Sequence, residues 1–352
     1  MLRTLGRNAT KNLIDMSTSE PLVSVITPVY NGAKYLAKCM SSVLSQRYSS
    51  WEYTIVNNCS TDNTLDIALS YEAKDNRIRV ITNSRFAEVI DNHNIAFRCI
   101  SPQSKYCKLV SADDWLYPEC LVNLVQVAES NPSMGILQGY VINSGGVRWT
   151  GLPVDANWFA GRDIGRRYLQ GQIEFAGTPS SMLYRSALVR SVHHFFPGSS
   201  PSADAAACLR CLQYCDFGVV HQILSYERIH DESVTAKVIK LDSYLLDRIE
   251  LVLQYGPIYL TKREMDFRLE QMLSNYYEVL AAAVVNGKGK EFWEYHQERM
   301  RMLGLRFYGG RLGKALSSKI LDLLLNPKRT VEKGFQRVSK HRAAIHRTTT
   351  RE

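Results

Sequence analysis

The stretch Lys108-Leu109-Val110-Ser111-Ala112-Asp113-Asp114-Trp115-Leu116-Tyr117-Pro118 constrains the fold more than any other part of the chain. Tyr106 to Val110 reads as a strand that ends in two adjacent carboxylates. Strands buried on both faces read as continuous apolar runs. Ligands of open α/β sheets collect outside the carboxyl ends of such strands. Paired acids at that position suit a hard divalent cation, held by one or two carboxylates together with substrate phosphates. The stretch therefore predicts a site for a divalent cation and a phosphate-bearing ligand.

The flanking pattern supplies the sheet. Val23–Thr27, Tyr53–Val56 and Ile78–Ile81 read as further strands. Helices are predicted over Ala33–Gln46, with Leu36, Met40, Val43 and Leu44 on one side, over Leu65–Glu72, and over Ile90–Ile100. Ser60 to Asp62 can cap the second of these. Strand–helix alternation with short turns predicts a mostly parallel sheet with helices on both faces. Beyond Pro118 come a helix over Glu119–Glu129, a strand over Gly135–Ile142 and a loop-rich stretch, Asn143–Gln172. Strands at Ser181–Tyr184 and Phe217–Leu224 bracket a helix near Ala203–Cys215. From Leu241 the pattern is helical only, with stripes Leu241, Leu245, Ile249, Val252 and Leu269, Leu273, Tyr276, Leu280. The expected domains are a flexible lead-in (1–20), two halves of one α/β domain (21–120 and 121–240), a helical extension (241–326) and a basic, disordered tail (327–352).

Charge separates the tail from the body. The net charge is +9, but residues 327–352 hold eight Lys or Arg against two Glu and contribute +6 of it. With the basic residues in a tail that lacks interleaved aromatic platforms, nucleic acid is not an expected partner. Attraction of the tail to anionic lipid, about 1 kcal/mol per basic residue near the surface, is the sharper reading beside a merely solvated end. Leu312 to Leu325 reads as an interfacial helix or a helix packed on the domain. No apolar run approaches the ~18 residues of a membrane span. The first residues lack the apolar core of a secretory signal, so a cytoplasmic address is expected, peripheral to the inner membrane face if the tail binds lipid. Eight cysteines make no disulfide framework. Cys208, Cys211 and Cys215 share one helical face and are expected in the core, since no fourth ligand has zinc-site spacing.

Three segments carry a family resemblance: Val23-Ser24-Val25-Ile26-Thr27-Pro28-Val29-Tyr30-Asn31-Gly32, Ile55-Val56-Asn57-Asn58-Cys59-Ser60-Thr61-Asp62 and Ser111-Ala112-Asp113-Asp114. In this order and spacing, residues 23–118 resemble the nucleotide-binding half of a family-2 glycosyltransferase of GT-A fold, and a looser likeness runs through 177–235. The resemblance implies an inverting transfer of a sugar from a nucleoside diphosphate to a hydroxyl, on a glycan or lipid-linked acceptor, in bacterial polysaccharide or glycoconjugate synthesis.

It also implies residue roles. The family's Asp-x-Asp, aligned on Pro118, puts the metal-binding acid at Asp113, for Mn²⁺ or Mg²⁺, and leaves Ser111 where an acid usually meets the ribose. Asp114 then orients the site from behind. Thr27, Pro28 and Tyr30 fall on the donor-binding turn, and Asn57-Asn58 replace an acidic pair near the base. An amide offers both donors and an acceptor, which suits uracil and favours a UDP-sugar over a GDP-sugar. Asp204 stands where the family has its catalytic base. Arg228 stands where a cation clamps the diphosphate, and His230 where a residue touches the metal. Gly177-Thr178-Pro179-Ser180-Ser181 resembles the acceptor cleft, and His93-Asn94 replaces the family's Arg-Asn. Plainer roles compete: helix capping for Asp113, Asp114 and Asp204, turn formation for the asparagines, an ordinary turn aromatic for Tyr30 and a loop histidine without a site role for His230. A nucleotidyltransferase would need a Gly-rich basic loop after the first strand, which Pro28-Val29-Tyr30-Asn31-Gly32 is not. A non-catalytic membrane-surface protein with a degenerate transferase fold is the other alternative, favoured by Ser111, Asn57, Asn58 and Ala206.

Overall fold

The computed structural model describes residues 20–175, 178–198, 201–230 and 234–325. The expectations for the lead-in before Glu20, for Gly177, for Ser200 and for the tail from 327 fall outside the described residues. The chain divides into two compact units, 1–233 and 234–352, so the helix over Val234–Leu241 groups with the second unit.

The first unit begins with β1 (Val23–Val29), α1 (Ala33–Leu44), β2 (Trp51–Asn57), α2 (Thr64–Glu72), β3 (Ile78–Thr82), α3 (Val89–Arg98) and β4 (Tyr106–Leu109). It continues through β5 (Trp115–Leu116), α4 (Cys120–Ser130), β6 (Met134–Asn143), β7 (Gly146–Arg148), β8 (Trp158–Phe159) and α5 (Gly161–Leu169). A 3-10 turn (Pro179–Ser181), β9 (Met182–Arg185), α6 (Ser186–Arg190), α7 (Ala203–Cys211) and β10 (Asp216–Tyr226) complete it. The main sheet order is β3-β2-β1-β4-β9-β6-β10-β5. Pairs β1–β2, β2–β3, β1–β4 and β6–β10 are parallel, while β9 runs antiparallel between β4 and β6. This is the expected mixed α/β architecture.

Helices cover the sheet because their apolar residues recur at helical spacing. Leu36, Cys39, Met40 and Val43 of α1 and Leu121, Leu124, Val125 and Ala128 of α4 join Val23, Val25 and Tyr53 of the strands in one core. Every residue of β1 is buried, as a central parallel strand requires.

The stretch expected to be loop-rich, Asn143–Gln172, instead holds β7, β8 and α5. Gly161 opens α5 for a packing reason. A Cβ there would lie 1.9 Å from the carbonyl oxygen of Cys215 and 2.6 Å from that of Leu212, and its N–H donates to Asp216 Oδ1 at 3.0 Å. Polar Arg162, Asp163, Arg166 and Arg167 mask the buried face of Ile164, Tyr168 and Leu169. Cys208 and Cys211 are buried and Cys215 partly so, all with free thiols.

The second unit is helical: α8 (Val234–Leu241), α9 (Tyr244–Tyr259), α10 (Lys262–Val285), α11 (Lys290–Met302) and α12 (Gly309–Leu325). In α9 Ile249 and Val252 are buried as expected, with Leu246 buried beside them and Leu245 half-buried. Thr261 and Glu264 form a reciprocal capping box that starts α10. α12 runs along α10, tied by Arg311 to Glu270, yet no residue of α12 is fully buried.

Candidate active site

Consecutive strands step outward from β1 to β2 to β3, and the chain then returns to the other side of β1 as β4. The crevice at the carboxyl ends of β1 and β4 is therefore a topological switch point, the general ligand site of open α/β sheets. The turn after β1 and the acid loop after β4 both open there.

The loops are built by short-range polar bonds. Asn31 takes a positive φ of 50°, and its Oδ1 accepts from Thr61 N at 2.8 Å. Asp62 accepts from Ala33 N (3.1 Å) and Thr64 N (3.0 Å), joining the starts of α1 and α2. Tyr30 is 49% exposed and meets Phe86 edge-on, with ring centroids 4.9 Å apart.

The acid loop divides its two carboxylates. Asp113 is partly open, with Oδ2 2.9 Å from His230 Nε2, and its carbonyl accepts from Arg228 Nε at 3.1 Å. Asp114 is buried: Oδ2 accepts from Ser180 Oγ at 2.5 Å and Oδ1 from Arg228 N at 2.9 Å. Burial, then the neighbouring Asp113 charge, pushes Asp114 well above the ordinary carboxylate range. Arg228 lies over the Tyr35 ring at 4.2 Å, and Tyr35 packs near His230. The structure thus brings Asp113, Asp114, Arg228 and His230 together from segments more than a hundred residues apart. Ser111 belongs to the same loop; its N–H donates to Ser180 Oγ at 3.0 Å.

The open donor set is one carboxylate and one imidazole. Among the described residues no three His, Cys, Asp or Glu side chains gather to hold a metal ion. Asp113 and His230 nevertheless fit a divalent cation that takes its remaining ligands from a diphosphate and water.

Other expected residues are placed differently. Thr27 and Pro28 are buried within β1, and the Thr27 hydroxyl donates to Val110 O at 2.8 Å. Asn58 is also turned inward. Its Oδ1 accepts from Asn83 Nδ2 and Ala87 N and its Nδ2 donates to Ala87 O. Asn57 is buried too, bonded to Thr82 Oγ1 and Ser60 N. Both amides hold the loops after β2 and β3.

Asp204 sits in the first turn of α7, with Oδ1 accepting from Ala205 N at 2.7 Å. Burial outweighs that bond and raises its pKa to about 7. Glu227 lies within electrostatic reach of both Asp204 and Asp114. Sequence patterns assigned no role to Glu227 or Tyr35. His93 was also incomplete. Its Nδ1 meets Val89 O at 2.6 Å, so that nitrogen carries a proton. Only the fold brings Glu227 and Tyr35 to the acid loop.

Comparison with known proteins agrees with this architecture. Residues 24–191 match the family model described as "Glycosyl transferase family 2". An uncharacterized glycosyltransferase of Haemophilus influenzae is 33% identical over 34% of this chain and 37% of its own. The O-antigen biosynthesis protein RfbC of Myxococcus xanthus is 28% identical over 37% of this chain and 10% of its own. The chain thus spans well under half the length of these relatives. Among solved structures, S. aureus TarS 1-349 in complex with UDP superposes with a TM-score of 0.55 at 20% identity, covering 76% of this chain and 75% of that one. Residues 24–191 thus resemble glycosyl transferase family 2 and lie in a sheet of the GT-A type.

Proposed function

We propose that this protein is an inverting glycosyltransferase, moving a sugar from a nucleoside diphosphate to a hydroxyl acceptor. The observation that carries the reading is the meeting of Asp113, His230 and Arg228 at the β1/β4 switch point. Asp113 and His230 would hold Mn²⁺ or Mg²⁺, which, when bound, supplies Lewis-acid stabilisation of the departing diphosphate. Arg228 adds a positive charge against the phosphates. Asp204 takes the proton from the acceptor hydroxyl as its oxygen attacks the anomeric carbon, and a pKa of about 7 suits a general base at neutral pH. Asp114, buried and bonded to Ser180 Oγ and Arg228 N, orients the loop from behind. Tyr30 offers an exposed ring for a base or ribose. A polysaccharide or other glycan acceptor accords with the O-antigen biosynthesis relative.

A screen of UDP- and GDP-sugars for Mn²⁺-dependent donor hydrolysis tests this, with both bases as open arms. Asp113→Ala should reduce hydrolysis at least about a hundredfold while the far-UV spectrum stays unchanged. Undiminished turnover in that variant would remove the mechanism.

A peripheral contact with an anionic lipid surface is supported by separate observations. On α12, Ile320, Leu321, Leu324 and Leu325 are exposed, the last two by 71% and 70%. A run of sequence with net charge +6 follows. Apolar side chains beside basic residues are the pattern of interfacial binding. The protein should sediment with phosphatidylglycerol vesicles and not with phosphatidylcholine ones, and release at high salt. Equal binding to both would refute a charge-driven contact.

A further inference from the structure

Lys108 interrupts an otherwise apolar strand, and nothing in the proposed chemistry calls for it. Its side chain is fully buried on β4. No carboxylate forms a salt bridge with it among the described contacts; its Nζ donates to two main-chain carbonyls, Ser180 O at 2.8 Å and Met182 O at 3.0 Å. A buried amine loses its hydration and is retained only where its donors are satisfied. The position explains the choice. β4 and β9 pair antiparallel at Tyr106 with Arg185 and Cys107 with Tyr184, and the ladder goes no further. Beyond Cys107 no β4–β9 pairing supplies donors to the carbonyls of Ser180 and Met182. The Lys108 ammonium supplies them, bridging the gap.

That bridge reaches the acid loop in one further step. Ser180, whose carbonyl Lys108 holds, accepts from Ser111 N at 3.0 Å and donates to Asp114 Oδ2 at 2.5 Å. Asp114 in turn accepts from Arg228 N, and Arg228 Nε donates to the Asp113 carbonyl. Each member is buried or partly buried, so the series has little freedom to rearrange.

We infer that Lys108 is a positioning residue of the donor site: by pinning the turn Pro179–Ser181 beneath the acid loop, it sets Ser180 and Asp114 so that Asp113 and Arg228 face the cation and diphosphate. The inference rests on the reading of Asp113 as a cation ligand.

The test uses the full chain with Mn²⁺ and whichever of UDP or GDP the parent binds, read by calorimetry. Lys108→Met keeps the volume and removes the donors. It should weaken nucleotide binding at saturating Mn²⁺, and raise the half-saturating Mn²⁺ concentration, each about tenfold or more, the range seen when supports of a metal ligand are lost. Ser180→Ala leaves the lysine and its carbonyl bonds in place and should shift both constants in the same direction. The double variant should be no weaker than Lys108→Met alone, because neighbours in one network are not additive. Wild-type constants in a folded Lys108→Met protein, or additive losses in the double variant, would overturn the inference. Should methionine at 108 prevent folding, Ser180→Ala decides alone, and unchanged Mn²⁺ and nucleotide constants there would overturn it. If Asp113→Ala itself leaves Mn²⁺-dependent nucleotide binding intact, the cation reading fails rather than the positioning one.

Discussion

His230 Nε2, on the segment leaving β10, lies 2.9 Å from Asp113 Oδ2, on the loop leaving β4. The two halves of the first unit thus close on one carboxylate, and the polarity of that contact offers a cation one oxygen and one nitrogen. His230→Ala should weaken Mn²⁺ and donor binding by roughly 10–100-fold, measured as the metal dependence of donor hydrolysis. A variant with parental metal dependence would show His230 to be only a neighbour of Asp113.

As the proposed base, Asp204 should carry the pH dependence. A carboxyl base must be ionised to act, so with a pKa of about 7 the rate of transfer should fall about tenfold per unit below that pH and level off above it. Asp204→Asn should lower kcat by roughly 10²–10⁴ and abolish the acid limb. A rate profile flat from pH 5 to 8 in the parent would remove Asp204 as the base.

Asn58 should prove structural. Its amide joins Asn83 and Ala87, so Asn58→Ala leaves buried groups without partners and should cost about 1–3 kcal/mol of stability. The ratio of UDP-sugar to GDP-sugar use should stay unchanged. A change in that ratio without loss of stability would return Asn58 to the base site.

Gly161 tests the packing of α5. The position a Cβ would take is filled by the carbonyls of Cys215 and Leu212, and backbone cannot move aside as a flexible side chain can. Gly161→Ala should destabilise the protein by about 1–3 kcal/mol, seen as a lower denaturant midpoint. An unchanged midpoint would mean that α5 shifts freely.

The strands and helices up to Pro118 were legible because their signal is local. Apolar runs of strand length and a helical stripe such as Leu36, Met40 and Val43 state their own periodicity. α5 was not legible, since its glycine serves a contact with residues 51 to 54 positions later and four charged side chains hide its buried face. The acid pair could be read as a site, because paired carboxylates at a strand end are rare without a ligand or a cap.

By itself, then, the sequence determined the α/β alternation, the location of the acid loop after the fourth strand and the segregation of positive charge into the tail. The tertiary structure decided what each polar group faces. It turned Thr27, Asn57 and Asn58 inward, split Asp113 from Asp114, and brought Arg228, His230 and Glu227 to the acid loop. The physical reason is that burial and hydrogen-bond partners depend on contacts between distant segments, and residue type and spacing along the chain carry no record of them.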